Sequence, residues 1–410
     1  MPAPPEASPR FLEAIHTPVA LDLSAPHPLP LNLGPYDPVL PDPLQGVLTP
    51  VRNLEQWMHD QLGLSTNLYY TLIFQTASRT IPRPDGQGDW GRSWGSGRMD
   101  FNLDWNVFDD PVLGNGHLVM LMRSGAIIGQ SDQYTMANAV GSINNLNAAA
   151  DPDPASLNLF YWQQGWFDNR LTIAAGRLHP NQFIMLNPVA NDESCQFMAG
   201  PMDGVDPFQP GLGTYSPGVA IQAAPFEWAY VDAIVIAPLD GPTGFFGQVG
   251  SGVWWSAVEA GLTPTWGDLH GKYALAWMST NRGQDTTSLE TEEWGNGWAF
   301  MLEQDVAPNV TAFVQGAWAD GAVAAISNQV TAGLAISNSF GRRADMAGLA
   351  VSWSQPSDPA DRDQVLVEAF YRLQITNSMQ LSPDLQYIPE PSFGGTDPVV
   401  VFALRLKTQF

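Results

Sequence analysis

The chain contains a single cysteine, Cys195, so no internal disulfide can form, and the expected state is a buried, inert thiol. Charge is scarce: 14% of residues are Asp, Glu, Lys or Arg, against ~25% in an average soluble domain. Basic residues are scarcest, 17 Lys and Arg against 41 Asp and Glu, for a formal net charge of -24. Nucleic acid and an anionic membrane surface both require an electropositive face, so neither is expected as a main partner. No apolar run reaches the roughly 18 residues that a membrane-spanning helix needs, which excludes helical spans and leaves a strand-built membrane protein possible. Residues 1–9 lack the basic and apolar regions of a secretory signal, so an exported protein is expected to be in a mature or engineered form here. The six histidines are dispersed with no pair at metal-ligand spacing on a helix, and no glycine-rich loop follows a strand and opens a helix. Neither a metal site nor a cofactor is expected.

Glycine, proline and aromatic residues, by contrast, are abundant, with 38 Gly, 35 Pro and 11% aromatics. Thirteen prolines fall within residues 1–50, including Pro26, Pro28 and Pro30 in alternation. This arm is expected to run extended, without regular helix or inner strand. Residues 51–64 follow as one short amphipathic helix, because Leu54, Trp57, Met58 and Leu62 recur at helical spacing. Thr49 is placed as its N-cap and Pro50 at its first position. The helix is expected against the rest of the molecule; Arg52 and His59 mixed with Glu55 and Asp60 on its polar face argue against a membrane-surface role.

From residue 65 to 410 the hydrophobic period changes to two. Met99, Phe101, Leu103, Trp105 and Val107 alternate with Asp100, Asn102, Asp104 and Asn106. The last strand sets Val400, Phe402, Leu404 and Leu406 against Val401, Ala403, Arg405 and Lys407. A strand with one apolar face and basic groups on the other fits a closed barrel around a wet interior, because hydrocarbon cannot satisfy an open sheet edge. Phe410 at its end resembles the signal by which outer-membrane barrels are recognised for insertion. Sixteen strands are expected, at 66–79, 98–109, 116–125, 156–167, 170–178, 217–225, 229–237, 251–263, 269–281, 295–305, 308–320, 329–340, 344–355, 364–376, 379–389 and 398–410. The count is even, many segments are as long as the roughly 9–11 residues of a tilted membrane strand, and tight connections alternate with longer ones. The expected fold is therefore an all-β, transmembrane antiparallel β-barrel of about sixteen strands, with a soluble β-sandwich array as the alternative. Trp90, Trp94, Trp166, Phe167, Trp228, Tyr230, Trp266, Trp294, Trp318 and Tyr387 are expected in interfacial girdles. Two long interruptions, 127–155 and 179–216, are expected to fold inward and narrow the channel, with partial helix over 133–146.

Five blocks carry a resemblance to a known family: AGRLHPNQF at 175–183, NPVANDESCQF at 187–197, LHGKYALAW at 269–277, GNGWAFMLEQDVAPNVTAFVQGAW at 295–318 and VLVEAFYRLQITNSMQLSPDLQYIPEP at 365–391. Together with the closing strand they resemble the carbohydrate-selective (OprB-like) porins of Gram-negative outer membranes. The resemblance implies a sixteen-stranded barrel in the bacterial outer membrane that lets small carbohydrates diffuse passively through a constricted pore. His179 and Gln315 depart from it, standing where such porins usually carry an acidic and a basic residue. By analogy with porins of this size, a homotrimer is implied.

Sugar permeation needs no nucleophile; it needs donors and acceptors matched to hydroxyl groups, a balanced field and aromatic faces. Strand parity nominates Asp100, Asn102, Asp104, Arg123, Trp255, Glu259, His270, Lys272, Glu303, Glu368, Arg372, Asp384 and Gln386 as lumen-facing. Glu368 and Arg372 with Asp384 and Gln386 form the densest polar cluster. Asn187, Asn191, Asp192 and Glu193 are nominated as the constriction loop; their spacing lacks the pattern of a helix-loop-helix calcium site. Acidic outer loops would bridge to lipopolysaccharide phosphates through divalent cations, with simple solvation as the alternative. The competing readings are a general or cation-preferring channel, a docking barrel that uses its proline arm, and a barrel hydrolase built on Ser256 and His270.

Overall fold

The computed structural model describes residues 38–410 other than 87, 129–134, 152, 154, 209–214, 239–248 and 284–290. Most of the proline arm (1–37) and the start of the helix expected over 133–146 lie outside the described residues. Strand segments run in chain order as β1 (Leu64–Ala77), β2 (Ser93–Asp110), β3 (Gly114–Ile128), β4 (Ser156–Trp166), β5 (Leu171–Leu178), β6 (Ser216–Phe226), β7 (Ala229–Ile236), β8 (Trp255–Leu262) and β9 (Thr265–Trp266). They continue as β10 (Leu269–Arg282), β11 (Thr291–Ala307), β12 (Val310–Ala319), β13 (Ile326–Ser337), β14 (Met346–Pro356), β15 (Gln364–Gln374), β16 (Met379–Ile388) and β17 (Val399–Gln409). The two-residue β9 prolongs β8 beyond Pro264 and pairs with the same neighbour, β10. These segments thus make sixteen staves, one for each strand expected from the sequence.

Each stave pairs antiparallel with the next, and β1 closes the ring on β17 from Tyr69↔Gln409 to Ala77↔Val401. Closure leaves no free sheet edge, as a structure surrounded by hydrocarbon requires. The alternation read from the sequence becomes inside and outside: along β17, Val400, Phe402 and Leu404 are exposed while Val401, Ala403, Arg405 and Lys407 are buried within the ring. Connections at one rim are mostly short, such as 111–113, 227–228 and 308–309, and those at the other include 129–155, 179–215 and 237–254. No helix among the described residues is long and apolar enough to cross a membrane.

Helix α1 spans Gln45–Leu62, beginning six residues earlier than expected. Pro50 therefore stands inside it, and Thr49 Oγ1 donates to Gln45 O within the helix instead of capping the start. Gly63 ends it in the left-handed region (φ 67°), where the absence of a side chain removes the strain. A second helix, α2 (Met136–Val140), is shorter than expected: Thr135 caps its start and Gly141, at φ 76°, stops it.

The core lies inside the barrel, built by the two long insertions packing on the inner wall. Met136, Val140, Leu146, Val189, Phe197 and Met202 bury against Phe313, Leu366 and Phe370 of the wall. Phe197 meets Phe370 edge-on, with ring centroids 4.9 Å apart. Outside, Trp228, Trp266, Trp294, Trp318 and Phe167 are exposed near stave ends. Two aromatics expected in the girdles point inward instead. Trp94 is buried against the insertion that carries α2, and the Tyr230 hydroxyl donates to Glu259.

Candidate functional site

The second insertion, between β5 and β6, is described over residues 179–208 and at Tyr215; its described part crosses the lumen and is tied to the wall by side chains that parity assigns to the interior. Glu368 on β15 is fully buried and accepts the backbone N–H groups of Met198 and Ala199. Asp384 faces Phe370 across the β15–β16 ladder and sits diagonal to Glu368, and the Gln386 amide donates to Leu146 O at 3.0 Å. The densest polar cluster in the sequence is thus covered by both insertions and anchors them. Arg372, two residues further along the same face, donates to Ala344 O at the short-turn rim. On the opposite wall Glu259 accepts Met185 N–H, and Lys272, which faces Glu303 in the ladder, donates to Leu186 O at 2.7 Å. Gln315, one of the departures from the family pattern, accepts Asn187 Nδ2 and donates to Met202 O and Gly204 O.

The opposing charges meet where this insertion approaches β2, β3 and β17. Asp100 holds two arginines, Arg98 Nε at 2.8 Å and Arg123 Nε at 2.7 Å. Arg98 also reaches Glu193 of the insertion at 2.7 Å, and Arg123 reaches it at 3.7 Å. Arg405 donates to the carbonyls of Glu193 and Gln196. Lys407 donates to Ser194, lies 4.0 Å from Asp192 and covers the Tyr69 ring at 4.1 Å. Asn191 N–H and Asp192 N–H both donate to Gln196 Oε1, which fixes the turn that presents the two acids. Arg98 and Asp100 are sealed in, whereas the side chains of Arg123, Asp192 and Glu193 each retain 15% exposure and so border the remaining aqueous space. Closer to the short-turn rim, Asp104 pairs with His117 Nδ1 at 2.8 Å. Four cations, Arg98, Arg123, Arg405 and Lys407, thus face three carboxylates, Asp100, Asp192 and Glu193. The charge excess of the whole chain is not repeated at this point.

Burial sets the protonation of the insertion. It drives the His179 imidazole down to about 3, helped by the Arg123 charge; the ring is neutral, accepts Asn181 N–H and lies 4.5 Å from the Tyr215 ring. Burial, with Asp192 beside it, pushes the Cys195 thiol up to about 12. Asp206 rises to about 6 by burial, and Asp203 rises well above its usual range by burial and the nearby Glu193 and Asp192 charges. Sequence reasoning missed Arg98 and Tyr215, whose hydroxyl accepts Arg123 Nη1. Arg98 shares the parity of Asp100, which is a usable signal; Tyr215 follows an irregular segment and carries none. Ser256 pairs with Ser279, nine residues along β10 from His270, a separation of roughly 30 Å in a strand. The two do not form a dyad.

A closed ring of sixteen tilted staves, lipid-compatible outside, with an insertion drawn to charged groups inside, defines a porin, a channel protein of the Gram-negative outer membrane. The chain belongs to the carbohydrate-selective porin (OprB) family, whose profile matches residues 101–410. Among solved structures, the high-pH structure of Pseudomonas putida OprB is 15% identical, covers 88% of this chain and 97% of its own, and superimposes with a TM-score of 0.72. The low-pH structure of the same porin is 14% identical with the same coverage and a TM-score of 0.54. A triple mutant of Rhodopseudomonas blastica porin is 12% identical over 85% of this chain and all of its own, with a TM-score of 0.51. No curated protein sequence matches the chain.

Proposed function

We propose that small neutral carbohydrates diffuse passively through this barrel and are sorted where Asp192 and Glu193 of the insertion face Arg123 and Arg98 of the wall. The near balance of charge there carries the reading: the guanidinium and carboxylate groups pair with one another, and Arg123, Asp192 and Glu193, which keep exposure, offer donors and acceptors matched to hydroxyl groups while favouring neither ion sign strongly. Asp104 and Arg123 line the route, with Glu303, Lys272 and Glu259 on the far wall. Glu368, Gln386 and Asn187 shape it by holding the insertions to the wall, with Asp384 beside Glu368 and Arg372 nearer the short-turn rim. No chemical step on the sugar is needed, so the protein acts as a channel and not as an enzyme.

Single-channel recording in KCl with glucose added stepwise tests this reading. Current is expected to fall with glucose concentration and saturate. A current indifferent to glucose and strongly cation-selective would instead support the general cation-preferring channel. Assembly as a homotrimer fits this class of barrel and is checked by native mass measurement in detergent; a monomer at all concentrations rules it out. Asp358 and Asp361 on the long-loop connection 357–363 are suited to bridging lipopolysaccharide through divalent cations. Loss of co-purifying lipopolysaccharide on chelation is expected, and retention would contradict the bridge.

A further inference from the structure

Helix α1 lies at the short-turn rim and is bonded to groups of both faces of the wall; on the inner parity, His59 Nδ1 lies 3.0 Å from Ser65 Oγ. At its C-terminal end, Trp105 Nε1 donates to Leu62 O at 3.1 Å and Asn106 N–H donates to Gly63 O at 2.8 Å. Thr66 Oγ1 donates to Glu55. Trp105 is 42% exposed on the lipid side of β2, and Thr66 alternates with the buried, inward Asn67, so both are groups of the outer face. At the other end, Leu40 N–H donates to Ile375 O, and Asp42 accepts Ser378 Oγ, on the connection between β15 and β16. The helix, about 27 Å long at 1.5 Å per residue, therefore runs along the rim beneath β16, β17 and β1. Leu48 is buried beneath it.

A second apolar face remains open. Val47, Val51, Leu54 and Leu62 recur at helical spacing and, with Trp57, are all exposed, Val47 at 71% and Leu54 at 54%. This stripe is continuous with the apolar belt of the barrel through Trp105, to which the helix is bonded. The helix carries Arg52, Glu55 and Asp60, so attraction to an anionic surface does not account for its position. We propose that α1 is an interfacial helix whose Val47–Val51–Leu54–Trp57 face lies in the headgroup and upper acyl region of the periplasmic leaflet, with phospholipid as its occupant. The proposal departs from the sequence-based expectation against a membrane-surface role, because the mixed charges sit to the side of the apolar stripe and do not interrupt it.

The inference rests on the barrel spanning the outer membrane. The full chain carrying Leu54→Cys, Gln56→Cys or Val351→Cys is labelled with an environment-sensitive fluorophore and reconstituted in vesicles containing phosphatidylcholine with a nitroxide near the top of one acyl chain. Buried Cys195 stays unlabelled, as the parent protein verifies. Quenching at Leu54 about fivefold greater than at Gln56, on the other side of the helix and exposed, is expected for an interfacial helix. Equal, weak lipid quenching at both, with equal access to iodide, overturns the proposal. So does a Leu54 probe shielded from both quenchers: release by deleting residues 1–37 identifies the arm as its cover, and release by dilution to monomers identifies a second copy. Val351 is an outward wall position, so its quenching by lipid separates a misplaced helix from a barrel outside the membrane.

Discussion

Glu193 couples the insertion to the wall, because its carboxylate meets both Arg98 and Arg123 while Arg405 holds its carbonyl. Removing that charge leaves four cations facing two carboxylates. Glu193→Gln, which preserves size, is therefore expected to move the cation-to-anion permeability ratio about two- to threefold toward anions in a KCl gradient. An unchanged reversal potential would put Glu193 outside the conduction path. Alternation was enough to nominate Asp100, Arg123 and Arg405 for the interior, because a strand has only two faces. It was not enough to say which inward groups stay wet. Asp100 and Arg123 face each other across 2.7 Å, yet only Arg123 keeps exposure, and that difference is made by an insertion seventy residues away in sequence.

Among elements, the insertions pack inside the barrel, and their attachment to the wall is unusually explicit. Glu368→Ala leaves two buried N–H groups without acceptors, a local cost of about 2–6 kcal/mol at 1–3 kcal/mol each. Residues 179–215 are then expected to detach, with a larger and noisier single-channel current, whereas Glu368→Gln, retaining one acceptor, has a smaller effect. Equal currents from both variants and the parent would contradict the anchor. The same insertion carries Asp206, whose proton is held more tightly in the folded protein than the 3.8 of a free carboxyl, up to about 6. A raised acid stabilises the docked insertion below its unfolded value and loses that contribution as pH rises through the folded one. Channel noise is thus expected to grow between about pH 4 and 6, and Asp206→Asn to reduce that step; an unaltered pH profile in the variant would show that Asp206 plays no part. The staves were legible because local alternation encodes them. The start of α1 was not, since Pro50 is a legitimate helix-opening residue and nothing local announces that Gln45–Thr49 also wind. The anchors were invisible for a different reason: Glu368 to Met198 is a contact across 170 residues, with no periodic trace.

At the scale of the whole molecule, a chain with net charge -24 and 14% charged residues folds into a barrel whose inner grouping of four cations and three carboxylates is nearly neutral. The overall charge is acidic; the local grouping of Arg98, Arg123, Arg405 and Lys407 offsets it at the proposed sorting point. Size and hydroxyl matching are then left as the discriminating properties. The most direct measurement is the swelling rate of proteoliposomes in isosmotic glucose, a disaccharide and a trisaccharide. Rapid swelling in glucose, with the trisaccharide slower by about tenfold or more, is the result expected of a constricted sugar channel. Equal rates for all three, or no swelling in glucose, would contradict it.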